Sequence, residues 1–202
     1  QQTDWMSETR NALVMAFSGG ETWGPDVAMA EMLAVLPENA LTTADSGAHR
    51  ILLSQQFYAR RPRTLIQSTG LCTMGCALPL GIGHRLADDT RPVVTFMGDA
   101  GLEMVLGELA TLRDTGVALV VVVFVDRSLA LIEMKQRRMG YQNAGVDFER
   151  TDFAGIARLM GMEAVTVSAA GEAGPALEEA LGRQRATLIE VEIPRRAYDG
   201  LI

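Results

Sequence analysis

Two aspartates carry the strongest chemical signal in this chain: Asp99 in 98-GDAG-101 and Asp126 in 124-FVDRS-128. Each closes a run with strand character, 92-PVVTFM-97 and 118-ALVVVVFV-125. Neighbouring strands lie about 4.8 Å apart, so if these two pair, the carboxylates face each other at that range. Two ionised carboxylates so close need a cation, or one of them takes up a proton. Hard oxygen ligands with small flanking residues suit Mg2+, which keeps waters and phosphate oxygens as further partners. Gly98, Ala100 and Gly101 leave backbone N–H groups bare where a helix begins, a cradle for an anion. A metal-bridged phosphate or diphosphate is the ligand this pattern favours. The plainer reading makes both aspartates simple helix caps after their strands.

Other phosphate and nucleophile signatures are missing from the sequence. There is no G-x4-G-K-[ST], no G-x-G-x-x-G directly after a strand, and no G-x-S-x-G elbow. Cys72 and Cys76 form C-x3-C with no second pair, and the only histidines are His49 and His84. A zinc site is therefore not expected, and the cysteines read as small buried residues on a tightly packed segment. A phospho-acceptor receiver domain shares clustered aspartates but wants a Lys after a later strand. The only Lys, Lys135, falls in a helical stretch.

The elements that must position these residues alternate. Strand-like runs are 40–44, 64–67, 92–97, 118–125, 163–167 and 187–193, and helix-like stretches are 25–36, 73–87, 102–115, 152–161 and 172–183. Pro25 suits a first helical turn, Asp152 an N-cap, and Gly116 and Gly161 helix ends. The unbroken apolar run at 118–125 is expected to be buried on both faces, as in a parallel sheet covered by helices. The fold class is α/β: a doubly wound, mostly parallel sheet of about six strands with helices on both faces. Residues 1–24 are expected to form a lead helix around Trp5, Leu13 and Phe17 followed by a loop, and residues 25–202 the ligand-binding domain. In such sheets ligands sit outside the carboxyl ends of the strands. The candidate loops are then 45–49, 68–72, 98–101 and 126–128.

Composition narrows the function classes. The 202 residues carry 25 acidic against 18 basic side chains, a net charge of −7. That balance argues against a general nucleic-acid or anionic-membrane binder. No apolar run reaches the roughly 18–20 residues of a spanning helix, and the first residues resemble no signal peptide. Two cysteines in a chain this size make no disulfide scaffold, so a reducing, cytoplasmic setting is expected.

The run 98-GDAGLEMVLGELATLRDTGVALVVVVFVDRSLALIEMKQ-136 resembles the cofactor motif of thiamine diphosphate-dependent enzymes. That motif opens on Gly-Asp-Gly, passes through Glu-Leu-x-Thr, and closes on Asn-Asn with the second Asn 27 residues after the Asp; here Asp126 stands at that distance from Asp99. The segment 42-TTADSGAHR-50 is similar to the family's Thr-Asp-x-Gly-x-His turn, and 68-STGLCTMGCALPLGIG-83 to its Gly-x-Gly-x-Met-Gly-x-x-Leu-Pro stretch. Residues 25–193 match in order, and resemble the C-terminal, diphosphate-binding domain of the acetolactate synthase and benzoylformate decarboxylase group.

The resemblance implies thiamine diphosphate and Mg2+ as cofactors, and a small 2-oxo acid as substrate for decarboxylation or carboligation. It implies metal ligands from Asp99, Asp126 and the Ser128 backbone carbonyl. The diphosphate would lie against Ser46, Gly47, Ala48 and His49, against Gly98, Ala100 and Gly101, and against the backbone at Leu129 and Ala130. Met74 would take the place of the residue that bends the cofactor, and the Cys72 carbonyl would accept from the aminopyrimidine. The chain departs from the family at three places: Ala100 for Gly, the pair Val125-Asp126 for Asn-Asn, and Cys72 for a frequent Gly. The second adds a negative charge at the metal.

No catalytic residue is implied within this chain. The glutamate that activates the cofactor belongs, in the family, to a separate pyrimidine-binding domain across a subunit interface; Glu103 and Glu108, on the helix after Asp99, cannot be that residue. The implied partners are such a domain, from the rest of a longer chain or a separate subunit, and further copies in a homo-oligomer. The start at Gln1 and the tryptophan-containing lead favour a C-terminal fragment over a natural small subunit of the sulfopyruvate decarboxylase type. A receiver-like or degenerate non-catalytic α/β module is the alternative of another class.

Overall fold

The computed structural model describes residues 2–17, 20 and 22–202. The lead helix is present as α1 (Gln2–Phe17), but Trp5 and Leu13 are exposed rather than packed. The side chain of Phe17 and residues 18, 19 and 21 of the expected loop lie outside the described residues.

Among the described residues six strands form one sheet: β1 (Leu41–Ala44), β2 (Leu65–Gln67), β3 (Val93–Gly98), β4 (Val120–Val125), β5 (Glu163–Val167) and β6 (Thr187–Glu192). The order is β2-β1-β3-β4-β6-β5 and every pairing is parallel. The expected doubly wound sheet is therefore borne out. β4 shows why its sequence is unbroken and apolar. Val120, Val122 and Phe124 enter one core layer while Val121, Val123 and Val125 enter the other, as the two-residue period of a strand requires.

The first layer is covered by α2 (Pro25–Val35), α3 (Ala48–Gln56), α7 (Ala130–Arg138) and α9 (Ala173–Gly182), through residues such as Met32, Leu53, Met134 and Leu177. The second is covered by α4 (Ala77–Ala87), α5 (Asp99–Met104), α6 (Glu108–Thr115) and α8 (Phe153–Leu159), through Leu78, Leu102, Leu109 and Phe153. The chain thus leaves β1 toward one face and β3 toward the other, although the two strands are neighbours. Their divergence opens a crevice at the carboxyl edge, the place where doubly wound sheets take their ligands.

Local chemistry sets most helix ends where the sequence places them. Pro25 opens α2, Gly116 closes α6 in the left-handed region, and the Asp152 side chain caps α8 by accepting from the Gly155 amide. Three stretches differ. The expected helix over 73–87 begins only at Ala77, because Gly75 sits at φ +81 and interrupts any earlier helical turn. The expected helix over 102–115 is two, with its start moved back to Asp99 and a break where Val105 leaves helical geometry at φ −126. Finally, α3 occupies a stretch with no expected helix.

Candidate functional site

The crevice holds a cavity of about 230 Å3. Loops after β1, β3 and β4 converge on it, together with the turn before α4. Ser46, Gly47, Ala48 and His49 line it from the first loop, and Gly98, Asp99, Ala100 and Gly101 from the second. Asp126, Ser128, Leu129 and Ala130 line it from the third, and Met74 from the turn. Cys72 alone among the expected residues does not reach the lining. It is exposed, at φ +49, so the expectation of a buried, tightly packed cysteine is overturned there; Cys76 is half-buried.

Asp99 is the centre of the arrangement. Its Oδ1 accepts from the Ala100 amide at 2.8 Å, and its Oδ2 accepts from the amides of Asp126 at 3.1 Å and Arg127 at 2.7 Å. Arg127 adopts φ +58, a left-handed turn that aims two successive amides at one carboxylate oxygen. Burial pushes Asp99 up to about 6 in spite of these donors. Asp126 is pushed up to about 7, first by burial and then by the Asp99 charge. Asp126 Oδ1 accepts from the Ser128 amide at 3.2 Å, whereas its Oδ2 is buried without a partner. An orphaned carboxylate oxygen beside a second buried carboxylate is an arrangement that a bound cation would complete.

Among the described residues no cluster of three or more His, Cys, Asp or Glu side chains could hold a metal. A cation here would draw on two carboxylates, a backbone carbonyl and oxygens from outside the chain. No backbone amide among the described residues donates to the Ser128 carbonyl. The Leu129 amide donates to the Val146 carbonyl at 2.9 Å, while that of Ala130, in the first turn of α7, has no acceptor inside its helix.

The second wall is built on a residue that the motif reading placed in the 42–50 turn without giving it a role. Asp45, fully buried, accepts from His49 Nε2 at 2.9 Å through Oδ1 and from the Gly75 amide at 2.6 Å through Oδ2. One carboxylate therefore fixes both the His49 ring and the turn carrying Met74. The ring stacks on Phe124 with centroids 6.4 Å apart. The packing explains two of the glycines. A Cβ on Gly47 would lie 2.5 Å from His49 Cε1, and one on Gly101 would lie 2.1 Å from Asp45 Oδ2.

Sequence reasoning missed further lining residues: Phe124, Leu131, Ile132, Lys135 and Tyr198. Lys135 was visible as the only Lys, and its exposed ammonium makes no ion pair or hydrogen bond among the described residues. Tyr198 sits in the segment after β6, where no pattern marks it. Burial pushes its phenol up, with Asp126 and Asp99 adding to the effect.

Residues 45–191 match the family described as thiamine pyrophosphate enzyme, C-terminal TPP binding domain. The chain is 31% identical over 162 residues to the acetolactate synthase isozyme 1 large subunit of Escherichia coli K12, covering 79% of this chain and 29% of that protein. It is 32% identical over 138 residues to the acetolactate synthase large subunit of Lactococcus lactis, covering 66% of this chain and 24% of that protein. It is 29% identical over 183 residues to the sulfoacetaldehyde acetyltransferase of Castellaniella defragrans, covering 87% of this chain and 30% of that protein. The chain thus spans 30% or less of the length of these relatives.

Proposed function

As the chain belongs to the C-terminal TPP-binding family of thiamine pyrophosphate enzymes, we propose that it supplies the diphosphate- and Mg2+-binding half of an acetolactate synthase-like active site. Membership bears out the resemblance and stands against the receiver-like alternative. Residues 25–202 are the cofactor-binding domain, and 1–24 the lead. The reaction is decarboxylation or carboligation of a small 2-oxo acid, a lyase or transferase activity, in a cytoplasmic homo-oligomer. The activating glutamate comes from a pyrimidine-binding domain, in the same polypeptide or in a second subunit.

The carrying observation is the orphaned, buried Asp126 Oδ2 beside Asp99. These residues fit Mg2+: two carboxylates repel each other in a buried site until a cation joins them. Asp99, Asp126 and the Ser128 carbonyl would hold the ion. The diphosphate would meet the 46–49 turn, the backbone at 98–101, the Ala130 amide and, at the family's position, Leu129. His49, fixed by Asp45, walls the site on the β1 side, and Met74, beside the anchored Gly75, would support the cofactor. Bound thiamine diphosphate supplies a nucleophilic carbon and an electron sink for cleavage beside a 2-oxo carbonyl. The protein residues orient it and exclude water, and the Cys72 carbonyl is left to accept from the aminopyrimidine.

Titration calorimetry with thiamine diphosphate, with and without Mg2+, tests the site. Weak binding that needs Mg2+ and is lost in Asp99→Ala is expected, with no substrate turnover by this chain alone. Equal binding without metal, or wild-type binding by Asp99→Ala, would sink the assignment.

A further inference from the structure

The loop that carries Asp126 and Ser128 is held from behind by a carboxylate to which the proposed chemistry gives no role. Glu133 lies on α7 and is 1% exposed. Its Oε2 accepts from Ser128 Oγ at 2.5 Å. Its Oε1 accepts from Asn143 Nδ2 at 2.8 Å and Arg196 Nε at 2.8 Å, with an Arg195 nitrogen 3.3 Å away. Arg195 also pairs with Asp147, and Asp147 forms an isolated antiparallel bridge with Ser128. Ser128, Glu133, Arg195 and Asp147 therefore close a ring.

The two oxygens of Glu133 divide their work. One holds only the metal loop, and the other gathers donors from the segments at 143 and 195–196. A buried carboxylate is tolerated only while its donors stay in place, so it fixes those segments relative to one another. The Ser128 hydroxyl has a single proton, and giving it to Glu133 sets that side chain's rotamer. Two residues beyond Arg196, Tyr198 reaches the cavity wall.

We propose that Glu133 is a positioning residue for the cofactor loop 126–130. Through the Ser128 hydroxyl it sets where the Ser128 carbonyl stands, and through Arg195 and Arg196 it ties that loop to the segment bearing Tyr198. The proposal rests on the metal-site reading above. It uses a different atom of Ser128, the hydroxyl rather than the carbonyl, so the two can be separated by experiment.

The test combines Ser128→Ala, Glu133→Gln and the double variant in the full chain, each checked for folding by its circular dichroism melt. Ser128→Ala keeps the carbonyl and loses the hydroxyl. Calorimetry with thiamine diphosphate and Mg2+ should show about tenfold weaker binding for each single variant. The double variant should be no weaker than Glu133→Gln alone, because both remove one link. Amide hydrogen exchange without ligand should quicken together in 126–131 and 194–200 for Glu133→Gln, while β3 and β4 stay protected. Should Glu133→Gln not fold, Arg196→Ala takes its place in the cycle. Wild-type affinity in Ser128→Ala, strictly additive losses, or faster exchange with unchanged affinity each overturns the positioning role. If Asp99→Ala loses binding while Ser128→Ala keeps it, the metal reading stands and Glu133 alone falls. Wild-type binding by Asp99→Ala removes both.

Discussion

The Asp126 amide donates to Asp99 Oδ2 at 3.1 Å, so the backbone of one acidic residue neutralises part of the charge that opposes its own side chain. The two carboxylates are held in one buried site by the register of β3 and β4 and cannot relieve their repulsion by moving apart.

This conflict makes the metal-free stability depend on pH. The folded values of about 6 for Asp99 and about 7 for Asp126 lie above the ordinary 3.8. Groups raised in this way contribute stability that is fully present below 3.8 and is lost as pH rises through the folded values. Thermal melts without divalent metal should therefore lose this contribution between about pH 4 and pH 7. Mg2+ should raise the melting temperature more at pH 8 than at pH 5.5, and a shift of equal size at both would contradict the assignment.

Asp126→Asn removes one charge from the same site. Metal-free protein above pH 7 should melt about 2–4 °C higher, the response of a domain this size to about 1 kcal/mol. Mg2+ alone should bind about tenfold more weakly, as a neutral amide replaces a carboxylate. Affinity for thiamine diphosphate at saturating Mg2+ should move the other way. Calorimetry in which both affinities fall together would refute the charge account.

Gly101 and Gly83 make a paired test of packing. A methyl group at Gly101 would meet Asp45 Oδ2 at 2.1 Å, whereas one at Gly83, exposed on α4, meets nothing within 4 Å. Urea denaturation should show Gly101→Ala destabilised by about 1–3 kcal/mol. Gly83→Ala should be more stable by about 0.5–1 kcal/mol, since alanine loses less backbone freedom in a helix. Similar values for the two would mean that Asp45 yields easily.

The cysteines should differ in reactivity. Cys72 is exposed, while burial pushes the Cys76 thiol up, with the Asp45 charge adding to it. Iodoacetamide mapped by mass spectrometry should label Cys72 first, because it is accessible while burial keeps the Cys76 thiol protonated. Thiamine diphosphate with Mg2+ should slow that labelling; unchanged kinetics would place the aminopyrimidine away from the Cys72 carbonyl.

Much of this was legible in the sequence, and the reasons are specific. β4 was readable because a strand buried on both faces cannot hide its composition. Asp99 and Asp126 were readable because parallel pairing turns a sequence interval into spatial adjacency. By contrast, α3 carries its apolar residues consecutively at Ile51, Leu52 and Leu53, which gives no clear helical period. Glu133 and Tyr198 were invisible for another reason. Glu133 meets Arg195 and Arg196 from 62 and 63 residues away, and Tyr198 lines a cavity whose other walls come from distant segments, meetings that no local pattern encodes. Asp45 was seen as a loop residue, yet its double engagement with His49 and Gly75 needed the turn at Gly75 to be placed first.

The strand order has a kinetic consequence. β6 is the last strand in the sequence, yet it lies between β4 and β5. Until it inserts, β5 has no partner strand, and the core strand β4 presents an edge of unpaired backbone groups. Assembly of that half of the sheet is therefore all or nothing, with residues 187–192 as its keystone. A chain caught before that event exposes the kind of open edge that recruits other strands, and late insertion is the step at which aggregation competes with folding.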